Sequence, residues 1–80
     1  MNWQTGDIFN DVQDEMIRAR EKFPPFHSFH EGYAVLLEEV EELWDSIKTN
    51  DTTNIYEEAI QVAAMAMQFL IDLKEYNCGL

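Results

Sequence analysis

Residues 28–48 read Ser28-Phe29-His30-Glu31-Gly32-Tyr33-Ala34-Val35-Leu36-Leu37-Glu38-Glu39-Val40-Glu41-Glu42-Leu43-Trp44-Asp45-Ser46-Ile47-Lys48, and their periodicity decides the fold. Tyr33, Leu36, Leu37, Val40, Leu43, Trp44 and Ile47 recur at helical spacing and form one broad apolar stripe. Ser28 and Glu31 make a capping box, in which the serine takes a free backbone N–H and the glutamate reaches back. The spacing predicts a helix from Phe29 to about Thr49.

Upstream, residues 7–22 carry Ile8, Phe9, Val12, Met16 and Ala19 on one side, followed by Phe23. Asp14 and Arg18 stand one turn apart and are expected to pair. Pro24-Pro25 ends this helix, because proline removes a donor and clashes with the preceding turn. Downstream, Thr49-Asn50-Asp51-Thr52-Thr53 is a polar turn. Asn54 with Glu57, or else Thr52 or Thr53, is expected to cap a third helix running from about Ile55 to Tyr76. Asn77 to Leu80 reads as a frayed end.

The third helix is apolar round most of its circumference from Ile55 to Leu73, and such a helix is buried on most sides. Two partners from the same chain are too few to cover it. Ala59, Ala63, Ala64 and Ala66 permit close approach of another helix. The expectation is an all-α chain, one helical domain over residues 1–80. Its three helices complete a four-helix-type bundle by oligomerisation, as a homodimer or homotetramer with the third helix central. An 80-residue chain buries only about two-thirds of its unfolded surface, which points the same way.

Charge and composition narrow the function. Sixteen acids against five bases exclude a nucleic-acid footprint and an anionic membrane surface. An apolar fraction of 46% excludes a disordered acidic tail. Cys78 is the only cysteine, so there is no disulfide framework. Met1 to Thr5 lack the features of a signal peptide, and no run is long enough to span a bilayer. A cytoplasmic location is the expectation.

Between Leu37 and Asp45, five of nine residues are acidic. On a helical wheel, Glu41 and Asp45 lean to one side of the stripe. Glu39 and Glu42, three apart, share the opposite flank with Val35, and Glu38 lies at its outer edge. The third helix has a matching flank in Glu58, Gln61 and Met65. Packing the two flanks together gathers Glu39, Glu42, Glu58 and Gln61 in one pocket. Like charges so crowded need protons or a cation, and oxygen-only ligands select Mg²⁺ or Mn²⁺ over Zn²⁺. The alternative is a solvated acidic face, and composition alone leaves both readings open.

A resemblance bears on that choice. Leu36-Leu37-Glu38-Glu39-Val40-Glu41-Glu42-Leu43 resembles the E-E-x-x-E signature of the MazG-like, all-α NTP pyrophosphatase superfamily. Glu58-Ala59-Ile60-Gln61 lies where that family has E-x-x-D, and Phe29-His30-Glu31-Gly32 is similar to its T-H-E segment. The likeness covers roughly residues 22 to 73. It implies a Mg²⁺-dependent nucleotide pyrophosphohydrolase that yields a nucleoside monophosphate and pyrophosphate by attack of water at the α-phosphorus. It implies Glu39, Glu42, Glu58 and Gln61 as metal ligands, with Glu38 and Glu39 as catalytic groups, Glu38 ligating or orienting water. His30 enters as a substrate-binding candidate through the same likeness. Lys22 and Lys48 are candidates to meet phosphates from helix ends, with solvated surface as their alternative.

Gln61 departs from the family's aspartate and offers a neutral oxygen, which weakens a metal position. A catalytically weak or inactive nucleotide-binding oligomer is therefore the second expectation, and a purely structural helical oligomer the third. The family also has a fourth helix, which a second chain would have to supply here. His27 reads as loop packing, Met65 and Met67 as core, and Trp44 as core or interface, with base stacking a further possibility. The sequence holds no serine triad, P-loop or zinc spacing.

Overall fold

The computed structural model describes residues 5–74. Three helices follow one another: α1 (Thr5–Lys22), α2 (Phe29–Lys48) and α3 (Thr52–Leu73), with no strand among the described residues. None of the three is long and apolar enough to cross a membrane. The expected third-helix terminus at Tyr76 and the tail from Asn77 lie outside the described residues.

The local signals are mostly where periodicity puts them. Ser28 Oγ accepts from the Glu31 N–H at 3.1 Å, as the capping box requires. Glu31 reaches one residue further back than the cap and accepts from the His27 N–H at 2.7 Å. α3 starts three residues before Ile55, because Asp51 caps it, not Asn54, Thr52 or Thr53. The Asp51 carboxylate accepts from the Asn54 N–H at 3.2 Å, and an anion is favoured at the positive end of the helix. Asn50 has φ 58°, the left-handed conformation that asparagine tolerates. Arg18 pairs with Glu15 at 2.7 Å, not with Asp14.

α3 lies between the other two helices and packs against both, while the α1 and α2 backbones do not approach each other. Ile60, Ala64, Met65 and Leu73 of α3 join Val12 and Ala19 of α1 and Phe26 of the first loop in one core. The registers are pinned at both ends. The Tyr56 hydroxyl donates to Asp11, which pushes the phenol up to about 12. At the other end Arg20 pairs with Asp72, whose second oxygen accepts from the Phe26 N–H at 3.1 Å. The Asp72 side chain is only 3% exposed, so it holds the proline loop down and buries Phe26.

α1 and α2 cover the middle of α3 more fully than its apolar circumference suggests. Uncovered apolar surface remains on all three helices, Phe9 and Ile17 of α1 included. Phe29, Tyr33, Leu37, Val40, Trp44 and Ile47 of α2 are exposed, as are Met67, Leu70 and Ile71 of α3.

α2 and α3 approach closely at Gly32. A Cβ there would lie 2.5 Å from Phe69 Cδ2 and 3.2 Å from Leu73 Cδ1. The Phe69 ring cannot swing away freely, since it packs against Phe29 with centroids 6.0 Å apart. Gly32→Ala is therefore expected to lower stability by about 1–3 kcal/mol through overpacking, although alanine is the better helix former by about 1 kcal/mol. Chemical denaturation checks this, and a stabilised variant would contradict the packing.

Candidate functional site

Because α1 and α2 do not meet, a groove runs between them with α3 as its floor. It encloses about 530 Å³, within the range of pockets that hold small organic ligands. Its two ends differ in chemistry. Toward the start of α3 the walls are Glu15, Glu38, Glu39 and Glu42, with Gln61 beneath. Toward the end of α3 they are Ala19, Phe23, Pro24 and Phe26, with Met65 and Gln68 beneath. Arg18 and Lys22 of α1 supply the basic groups of the lining.

The acidic end is built by two antiparallel helices that set their acids one turn apart. Glu39 and Glu42 come from α2 and Glu58 from α3. Each offers a carboxylate oxygen within 4.8 Å of the others. Glu58 Oε2 is buried and has no hydrogen-bond partner. Burial raises the Glu39 carboxyl to about 7, helped by the charge of Glu42, a hydrogen bond to it, and the charges of Glu58 and Glu38. Glu58 is raised as well, by burial first and then by Glu42. The cluster thus keeps a proton where separate carboxylates would be bare, because three anions this close repel strongly.

A hard cation relieves the same repulsion. Two oxygens on opposite sides of one Mg²⁺ lie about 4.2 Å apart at ~2.1 Å bond lengths. The cluster's oxygens lie within 4.8 Å of one another, a limit a little wider than that. The donor set fits such an ion: three carboxylates, with the Gln61 amide one turn from Glu58 on the same groove. Nitrogen and sulfur ligands are lacking among these residues, which disfavours zinc.

The other sequence-derived candidates divide. Glu38 and Lys22 line the groove with the cluster. His30 and Lys48 stand outside it. His30 is exposed in the first turn of α2. Lys48 pairs with Asp45 at 3.2 Å and lies over the Trp44 ring, 5.8 Å from its centroid. Glu41 and Asp45 also stand outside, as the helical wheel expects. Sequence reasoning overlooked Glu15, Phe26 and Gln68 as lining residues. Gln68 had a signal: it lies seven residues after Gln61, two turns along the same face of an apolar helix.

The Glu39 shift has a pH consequence with a definite sign. In the metal-free chain, folded Glu39 takes its proton near pH 7, whereas an unfolded glutamate does so near about 4.3. Between those values the folded state holds the extra proton, so this group's contribution to stability falls as pH rises through the window and is flat above it. With chelator present, Glu39→Gln is expected to flatten the fall in melting temperature between pH 5 and pH 8. It should also melt above the parent chain at pH 8. An unchanged slope would contradict the crowding of these acids.

Compared with protein-family models, with curated proteins and with solved structures, the chain matches none.

Proposed function

We propose that the chain is the subunit of a Mg²⁺-dependent nucleoside triphosphate pyrophosphohydrolase, Mn²⁺ serving the same oxygen ligands. The observation that carries this reading is the Glu39–Glu42–Glu58 cluster with its orphaned Glu58 Oε2, of which Glu39 and Glu42 line one end of a groove whose other end is mostly apolar, with Lys22 and Glu31 also in the lining. A polyphosphate with its cation suits the first end and a heterocyclic base the second. The E-E-x-x-E and E-x-x-Q segments, read by their resemblance to the MazG-like superfamily, support the same assignment.

The bound ion would neutralise phosphate charge, which matters more in phosphoryl transfer than covalent catalysis does. Glu39, Glu42 and Glu58 would hold it, with Gln61 adding a neutral oxygen. Lys22 and Arg18, on the α1 wall, face the groove with cationic groups suited to phosphate oxygens. Glu38 orients a water and accepts its proton. The water oxygen bonds to the α-phosphorus, the bond from that phosphorus to the bridging oxygen breaks, and pyrophosphate leaves with the electron pair. Gln61, in place of an acid, favours a second reading in which the nucleotide is bound but turned over slowly or not at all.

A second copy of the chain suits the uncovered apolar face. On α2 the exposed residues Tyr33, Leu37, Val40, Trp44 and Ile47 follow alternating steps of four and three, the spacing of a helix-pairing seam. Two α2–α3 pairs joined there make a four-helix bundle, as a homodimer or as half of a homotetramer. The acidic surface leaves nucleic acid out of the set of partners.

The purified chain is expected to release pyrophosphate from a nucleoside triphosphate only when Mg²⁺ is present, and to sediment as a dimer or larger. Glu42→Gln should stay folded and lose at least about 100-fold in rate, the scale of losing a group that holds a catalytic metal. Absence of any Mg²⁺-dependent nucleotide binding would overturn the assignment. Binding without pyrophosphate release would select the second reading.

A further inference from the structure

At the far end of the groove from the acids, a polar side chain sits among apolar ones. Gln68 is 2% exposed, its Oε1 has no hydrogen-bond partner, and the residue lines the groove along with Phe23, Pro24, Phe26 and Met65. For packing alone, methionine or leucine would serve better here, because a buried acceptor without a partner destabilises the fold. The other buried polar side chain at this end, Asp72, is fully engaged by Arg20 and the Phe26 N–H. Gln68 Oε1 is the one left without a hydrogen-bond partner.

We infer that the Gln68 carboxamide reads the heterocyclic base of the nucleotide, its Oε1 accepting a hydrogen bond from an N–H on the edge of the ring. This rests on the proposed function and names the residue that selects the substrate. The spacing agrees. Gln68 lies ten residues along α3 from Glu58, about 15 Å at ~1.5 Å per residue, so a nucleotide with its phosphates on the acids extends toward the amide. The surroundings agree as well. Phe23, Phe26 and Met65 offer apolar and aromatic surface to the faces of a flat ring, and the amide addresses its edge. A carboxamide both accepts and donates. It therefore matches a base edge on which an N–H stands beside an acceptor, and it has nothing to recognise in a bare polyphosphate. A site that buries an unpaired acceptor discriminates strongly, since a ligand without the matching donor leaves the penalty in place.

The test compares the full-length chain with Gln68→Met and Gln68→Leu. Binding of ATP, GTP, CTP, UTP and inorganic tripolyphosphate is measured for each with Mg²⁺ present, along with the melting temperature of the ligand-free proteins. The parent is expected to prefer one nucleotide and to bind tripolyphosphate more weakly. Both variants should lose about tenfold or more in affinity for the preferred nucleotide, keep the parent's affinity for tripolyphosphate, and melt higher than the parent without ligand. Retained tripolyphosphate binding certifies the fold and the acidic end of the groove. An equal loss for tripolyphosphate and nucleotide would assign Gln68 a structural role and overturn the inference. Unchanged nucleotide affinity in both variants would overturn it and leave the proposed function standing. Failure of the parent to bind any of the five probes would remove both.

Discussion

α3 is gripped by α1 on one side and by α2 on the other, and the backbones of those two helices do not approach each other. The groove and its acidic end depend on that arrangement. Had α1 closed on α2, Glu39 and Glu42 would have been covered, with no room for a ligand. Instead the gap is held open from both ends. Tyr56 to Asp11 fixes one end of α1 on α3, and Asp72, bound to Arg20 and to the Phe26 backbone, fixes the other. Gly32 lets α2 lie close enough for its acids to reach Glu58. The groove is thus the space that three helices leave when only two of the three possible pairings form.

Two acids on α3 show how differently a buried carboxylate can be treated. Asp72 has a guanidinium and a backbone N–H, and the structure resolves its partners completely. Glu58 is partly buried and shares a hydrogen bond with Glu42; its Oε2 is out of reach of solvent with no hydrogen-bond partner, and two further carboxylates lie within 4.8 Å. A charge buried without a partner is expensive. In the metal-free chain the cluster escapes the expense by holding a proton, as the value of about 7 for Glu39 records. A divalent oxygen-seeking ion would satisfy the same oxygens and displace that proton. With sixteen acids and five bases, the rest of the chain attracts cations to the groove and gives anionic nucleotides no general welcome. On the proposed function, affinity for a nucleotide would have to arise locally, from an ion and from the few cationic and polar groups of the lining.

Much of this was legible in the residues. Apolar spacing located all three helices, and the wheel put Glu39 with Glu42 and Glu58 with Gln61 on flanks that do meet. What local pattern cannot carry is pairing across the chain. Arg20 and Asp72 are 52 residues apart, and nothing in either neighbourhood announces the other. Phe26 is buried through that pair, so its place in the groove was equally hidden. Lys48 looked available for phosphate because it ends a helix, but Asp45 and Trp44, one turn back, engage it. The cap of α3 was misplaced because Asp51, Thr52, Thr53 and Asn54 are all good caps, and only the left-handed turn at Asn50 selects Asp51. The apolar circumference of α3 suggested an interface along it; exposed large apolar residues are most numerous on α2, with Met67, Leu70 and Ile71 on α3.

The central claim is that Glu39, Glu42 and Glu58 exchange a shared proton for a hard cation. Calorimetric titration with Mg²⁺ at pH 7, repeated in two buffers of different ionisation enthalpy, measures it most directly, because the difference between the buffers counts protons released on binding. The account predicts a saturable site that releases a sizeable fraction of one proton at pH 7, less at pH 8, and is lost in Glu58→Gln. Saturable binding with no proton release, or binding that survives Glu58→Gln unchanged, would contradict it.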